Sequence, residues 1–135
     1  MRAIADTGFL VALANRRDHH HAWAANLLPR LETPLLTCEA VLSETAFHLG
    51  SSMLALSMVR EGLVAVDWVF AREWRFLHML ADQFNDQDPD LADLCVIRLS
   101  ELHPRHTVLT VDAGHFRVFR RNNRDRIPAI FPPGL

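Results

Sequence analysis

Four carboxylates fall at unexpected places in a chain that is half apolar: Asp6, Glu44, Asp93 and Asp112. Asp6 precedes a helical run from Phe9 to Ala14 and on its own suits an N-cap. Asp112, in TVDAGHF, on its own suits a turn. Glu44 is harder to explain this way. On a helix its neighbours at three and four residues are Ala40, Val41, Phe47 and His48, mostly apolar. A carboxylate among them is partly buried, which costs free energy unless a cation or hydrogen bonds compensate. Asp93 meets the same difficulty, with Val96 and Ile97 after it and Asp90 one turn before. Asp90 is accounted for in the first helical turn, where the dipole favours anions, whereas Asp93 reads as lying past that turn. Acids on one helical face repel each other unless a positive charge lies between them or protons are taken up.

As a set, the four offer only oxygen donors, which suits Mg²⁺ or Mn²⁺ rather than zinc. Such ions lower the pKa of an attacking water, stabilise charge on a transferring phosphoryl group and steady the leaving oxygen. Metal-assisted phosphodiester hydrolysis is the chemistry these acids point to.

For the acids to meet, the chain must bring distant segments to one rim. Residues 3–5 read as a strand, Asp6-Thr7-Gly8 as a turn and 9–14 as a helix. Asp18 is placed to cap a helix from about His19 to Leu31, with Trp23, Leu27, Leu28 and Leu31 at helical spacing. A brief strand at Leu35-Leu36 follows, then helices at about 38–49 and 51–60, a strand at 63–66 and a helix over 70–83. Asp88-Pro89 reads as the start of a helix reaching about Leu102. Strands at 107–110 and 129–131 complete the pattern. Strands alternating with helices imply a parallel sheet of four or five strands in an α/β sandwich. Ligands in such sheets bind beyond the carboxyl ends of the strands, and Asp6 and Asp112 both follow strands.

The 135 residues suit a single domain, with no internal repeat, linker or membrane-length apolar run. No signal peptide is read at the N-terminus, so the expected compartment is the cytoplasm. Cys38 and Cys95 lack metal-ligand spacing and are expected to be buried free thiols. The formal net charge of −2 argues against a uniformly basic nucleic-acid surface. There is no Lys, however, and Arg117, Arg120, Arg121, Arg124 and Arg126 crowd into ten residues beside the last acid, where planar guanidinium groups suit phosphate oxygens. His19, His20 and His21 splay around a helix and read as a solvated helix start, and Trp23, Trp68 and Trp74 read as core. The stretch 51–69 is either core or a face that buries against another chain.

With these residues placed, the sequence resembles the PIN-domain family over almost its whole length, and within it the VapC-type toxins of toxin–antitoxin pairs. IADTGFLVALANRRDHHHAWA is similar to the family's first motif, with Asp6 as its acid and Thr7 as the usual hydroxyl neighbour. TCEAVLSETAFHL resembles the second, around Glu44, and DPDLADLCVIRLSE the third, with Asp93 as the core acid and Asp90 matching an acid present in a large subset. LTVDAGHFRVFR resembles the fourth, with Asp112, the accompanying polar Thr110 and Arg120 at a commonly basic place. Leu94-Cys95 stands where Ala usually follows the core Asp, and Gly114-His115-Phe116 where Arg-Asp-Phe is common; both departures lie beside the acids.

The resemblance implies a three-layer α/β/α sandwich and a Mg²⁺- or Mn²⁺-dependent endoribonuclease. Asp6, Glu44, Asp93 and Asp112 would be its catalytic metal ligands, with Asp90 as an optional fifth. It implies cleavage of exposed single-stranded loops in structured RNA, such as transfer or ribosomal RNA. It also implies a homodimer and a cognate antitoxin that threads a peptide into the groove. Arg117, Arg120, Arg121 and Arg124 are the candidates for holding phosphates beside the acids. Two rival readings keep the fold: a flap-type DNA nuclease, for whose duplex-gripping elements a chain of this length has little room, and a non-catalytic binding module that keeps the acids as relics.

Overall fold

In the computed structural model, which describes residues 1–135, the first strand takes the centre of the sheet. β1 (Ala3–Ala5) is buried along its whole length, and Asp6 follows it directly. The chain continues through α1 (Thr7–Ala14), α2 (His21–Leu27), β2 (Leu35–Thr37), α3 (Glu39–Leu49), α4 (Ser52–Arg60), β3 (Val64–Val66) and α5 (Phe70–Gln83). It closes with α6 (Leu91–Leu102), β4 (Thr107–Leu109), α7 (Ala113–Phe116), β5 (Arg120–Arg121), β6 (Asp125–Arg126) and β7 (Ala129–Ile130). Five strands form one parallel sheet in the order β3-β2-β1-β4-β7, and the helices flank it as an α/β/α sandwich. Strands buried on both faces read as short apolar runs without alternation, which is how AIA, LLT and TVL read here.

The register carries the rim expectation through. Ala5 pairs with Leu109, so β1 and β4 end side by side, and the Asp6 N–H donates to the Leu109 carbonyl at 3.0 Å. The buried Thr37 hydroxyl, at the end of β2, donates to the Ala5 carbonyl at 3.0 Å and adds a third strand end to the same rim. α6 packs on β1, β2 and β4 and is buried at eight of its twelve residues, which makes it the central helix of the core. Its Arg98 is held by Glu73 at 2.9 Å and Glu101 at 3.2 Å and lies over the Phe76 ring.

Several elements differ from the sequence expectation. The helix expected over 19–31 covers only His21–Leu27 and tightens into a 3₁₀ turn at Leu28–Arg30, because Pro29 removes a backbone donor and crowds the preceding turn. Asp18 caps a turn instead, accepting the His20 N–H at 2.8 Å. Asp88 does not start α6: its backbone is left-handed, with φ 48°, and the N-cap is Asp90. The four-residue α7 and the β5–β6 hairpin were not anticipated, since elements this short show no hydrophobic period. Asn122 and Asn123 carry the hairpin turn at positive φ, a conformation Asn tolerates.

Trp23 packs edge-on against the buried Phe9 and Trp68 lies against the core, but Trp74 is 43% exposed and is not core. The stretch 51–69 divides: Ala55, Met58 and Val64 are buried, while Met53 and Leu56 face outward at 76% and 64% exposure. Cys38 and Cys95 are buried free thiols, Cys38 at the N-cap of α3 and not within the helix. Their mutual hydrogen bond, followed by burial, pushes the Cys95 thiol well above its ordinary range. No helix is long and apolar enough to cross a membrane.

Gly8 is required by close packing. A Cβ there would come within 2.2 Å of Val111 Cγ2, in the loop after β4. In an unobstructed helix Gly→Ala stabilises by roughly 1 kcal/mol. Here Gly8→Ala is expected to destabilise, by about 1–3 kcal/mol as an overpacked contact, and Val111→Ala in the same chain is expected to restore most of the loss. Urea unfolding of wild type and the two variants measures this; a Gly8→Ala protein at least as stable as wild type would contradict the packing.

Candidate active site

Three helix N-termini deliver acids to one cavity of about 370 Å³ at the carboxyl edge of the sheet. Asp6 is the N-cap of α1, Asp90 the N-cap of α6 and Asp112 the N-cap of α7, and all three line the cavity. Asp93 sits at the third position of α6 and Glu44 in the middle of α3, and these two line it as well. The structure therefore brings together all five acids that the sequence singled out. The positive ends of helix dipoles favour anions by about 0.3–1 kcal/mol each and offset part of the repulsion among the caps. Glu44, in mid-helix, has no such support.

Each acid is held by specific partners. Asp6 is 7% exposed; Oδ1 accepts the Thr7 N–H at 2.9 Å and Oδ2 the Thr110 hydroxyl at 2.7 Å. The Thr110 hydroxyl in turn accepts the Asp112 N–H at 3.0 Å, so one buried threonine ties two acids together. Asp90 and Asp93 form a reciprocal capping box. The Asp93 N–H donates to Asp90 Oδ1 at 2.8 Å and the Asp90 N–H to Asp93 Oδ2 at 3.2 Å. Asp93 thus lies inside the first turn of α6, not past it, because the helix begins two residues later than Asp88-Pro89 suggests. Asp112 Oδ1 accepts the His115 N–H at 3.1 Å, and Oδ2 lies 2.8 Å from His115 Nδ1. Glu44 is half-buried, as expected, although Phe47 beside it points outward at 82% exposure.

Burial and like charge act in the same direction. Burial raises the Asp6 carboxyl above its ordinary range, opposed by its bonds from Thr110 and Thr7 and reinforced by the charges of Asp90 and Asp112. Glu44 is raised by burial, then by Asp90 and Asp6. Asp93 is pushed up to about 7, first by burial and then by Asp90, against the opposing Asp90 backbone bond. The bond to Asp112 raises the His115 imidazole.

Sequence reasoning passed over three further residues of the lining: Asp18, His20 and His48. His48 follows Glu44 by one helical turn, a spacing legible in the sequence. Of the three consecutive histidines only His20 reaches the cavity; His21 Nδ1 lies 2.8 Å from the Ala12 carbonyl. The cavity wall thus holds six carboxylates and no arginine, and His20 and His48 are its only side chains able to become cationic.

The arginines lie elsewhere. Arg117 reaches the Leu135 carbonyl and the Phe131 ring, Arg120 the carbonyls of residues 117–119, and Arg121 those of Ser100 and Pro104. Arg124, at 87% side-chain exposure, has only Asp125 beside it at 3.7 Å. None of the four lines the cavity.

The donor set fits a hard divalent cation. All five acids offer oxygen alone, and the buried Thr7 hydroxyl, also in the wall, has no hydrogen-bond partner. No three carboxylate, histidine or cysteine side chains are already drawn together as a closed metal cage. Mg²⁺ does not require one, because it typically binds through one or two carboxylates and keeps several waters or substrate oxygens.

A stability test follows from the raised Asp93. Its folded pKa, about 7, exceeds the ordinary 3.8, so the folded chain retains a proton that the unfolded chain releases. Stability from this group falls as pH rises between those values. In EDTA, Asp93→Asn is expected to melt at a higher temperature than wild type at pH 8, with the difference shrinking towards pH 4. Equal melting temperatures across that range would contradict the assigned environment.

A PIN-domain family model matches residues 3–123 of the chain. A search among curated proteins found no match. The sheet order, the acids at its carboxyl edge and a family match over most of the length agree: the chain belongs to the PIN-domain family.

Proposed function

We propose that this protein is a metal-dependent endoribonuclease of the VapC toxin type, hydrolysing phosphodiester bonds in single-stranded regions of structured RNA. PIN domains are generally metal-dependent nucleases, and nucleic acid is their ligand. The observation that carries the reading is the cavity of six carboxylates without an arginine, three of whose carboxyls are raised by burial and mutual charge. Such a site is unfavourable alone and becomes favourable around a dication.

Asp6, Glu44, Asp93 and Asp112 are the proposed metal ligands, with Asp90 as an optional fifth. A Mg²⁺ or Mn²⁺ ion there would activate water and neutralise charge on the phosphoryl group. The protein's own residues do the positioning. Thr110 fixes Asp6 and the Asp112 backbone through one hydroxyl, the capping box fixes Asp90 and Asp93, and His115 orients Asp112. The unpartnered Thr7 hydroxyl is available to a metal-bound water or a phosphate oxygen. His20 and His48 also line the cavity, where a ring N–H can donate to a phosphate oxygen.

Phosphates flanking the cut need cations outside the cavity, and Arg124, exposed and with only Asp125 beside it at 3.7 Å, is the strongest of the four proposed. Arg117, Arg120 and Arg121 bond backbone carbonyls, yet a guanidinium has five donors and retains capacity for phosphate. The homodimer and the cognate antitoxin are supported by the outward apolar side chains of α3 and α4: Phe47, Met53 and Leu56 are 82%, 76% and 64% exposed.

Cleavage of total cellular RNA by the purified, antitoxin-free protein tests the reading. Discrete fragments are expected with Mg²⁺ or Mn²⁺, none with EDTA, and a loss of at least about a hundredfold in rate for Asp6→Asn, on the scale of removing an electrostatic catalytic group. Intact RNA in every lane beside cut flap DNA would favour a DNA nuclease. No cleavage of either, with retained RNA binding, would favour a non-catalytic module.

A further inference from the structure

A second cavity, of about 800 Å³, adjoins the carboxylate site and shares Glu44 and Asp90 with it. Its wall differs in character. Trp68 lies against the core and donates its indole N–H to the exposed Glu39 at Oε1, 2.9 Å away, which links the two side chains across 29 positions of sequence. Phe70 and Leu91 present exposed apolar surface at 47% and 51%, and Ser43 lies one residue before the shared Glu44. The volume is that of a small-molecule site, with apolar walls and a few polar groups. The proposed hydrolysis does not use Glu39, Ser43, Trp68, Phe70 or Leu91.

We propose that this cavity is a nucleobase subsite that takes guanine from the nucleotide next to the scissile phosphate. The inference rests on the nuclease reading above, since continuity across Glu44 and Asp90 is what sets the base beside the reacting phosphate. A neutral base is the occupant an acid-lined cavity accepts from a polyanion, and aromatic faces such as those of Trp68 and Phe70 stack on bases. The edge chemistry selects among bases. A carboxylate only accepts hydrogen bonds, and Glu39 has one oxygen not engaged by Trp68. Guanine presents two adjacent donors, N1–H and the N2 amino group, on its Watson–Crick edge. Adenine and cytosine each present one amino donor beside an acceptor, and the single uracil donor lies between two carbonyl oxygens that a carboxylate repels. Single-stranded RNA exposes these edges, which agrees with a site that reads unpaired bases.

The test has two arms, both with the full chain. In the first, the tryptophan indole N–H resonances are followed by NMR without metal as guanosine, adenosine, cytidine or uridine is added, the Trp68 signal being identified by its loss in Trp68→Phe. Guanosine is expected to move the Trp68 resonance at least threefold more than the other nucleosides at equal concentration, and Glu39→Gln to remove that excess. Equal shifts from all four, or none, overturn the proposal. A shift from arginine methyl ester but not from guanosine overturns it in favour of an arginine-bearing peptide as occupant. In the second arm, an RNA randomised in sequence is cut and its ends mapped. At one position flanking the cut, guanine is expected at least tenfold over adenine, falling to about twofold in Glu39→Gln. Cleavage without base preference overturns the subsite while sustaining the nuclease. Selective guanosine binding without RNA cleavage sustains the subsite and overturns the nuclease reading.

Discussion

The Thr110 hydroxyl stands between Asp6 and Asp112, donating to the carboxylate of the first, 104 residues away in sequence, and accepting from the backbone of the second. It functions only because β1 and β4 are adjacent and end in register, which follows from β1 occupying the centre of a parallel sheet. Every other part of the site is arranged around that junction. α1 and α7 begin at these two acids, α6 crosses the same strands and brings Asp90 and Asp93, and α3 adds Glu44 from the neighbouring connection. The crowded carboxylates are tolerable without a cation because helix N-termini, cap bonds and raised carboxyl pKa values each relieve part of the repulsion.

Much of this was legible in the sequence, for reasons that show where such reading stops. Short apolar runs between amphipathic ones gave the parallel sheet, and strand ends gave the rim on which Asp6 and Asp112 meet. The cap and metal-ligand readings of Asp6 appeared as alternatives, yet the structure uses one oxygen for the cap bond and the other for Thr110. For Asp93 the expected burial beside Asp90 holds, and only its expected place past the first turn was incorrect. A left-handed Asp88 moves the helix start to Asp90, and no periodicity signals a single positive φ. The arginine cluster runs from the end of α7 through a hairpin of two-residue strands, where tertiary hydrogen bonds to Ser100, Pro104 and Leu135 decide the directions of Arg117 and Arg121. The distribution of tryptophans between surface and core also depends on tertiary packing, which leaves Trp74 exposed while Trp68 is held by Glu39.

The charge distribution divides binding from chemistry. The cavity itself repels a polyanion, and the chain's net charge of −2 supplies no general attraction. Nucleic-acid affinity must then come from local cations and from contacts to bases, with phosphate contacts setting position more than sequence. This division fits the proposed cleavage at exposed single-stranded loops, because neither acidic wall nor aromatic cavity can reach a base that is paired and stacked.

The proposed hydrolysis depends on the carboxylate cavity being a divalent-cation site, and anomalous diffraction from crystals equilibrated with Mn²⁺ addresses that directly. The account predicts a Mn²⁺ peak inside the cavity bounded by Asp6, Asp93 and Asp112, lost in crystals of Asp6→Asn. Mn²⁺ found only at surface carboxylates, with the cavity filled by water alone at millimolar metal, would contradict it.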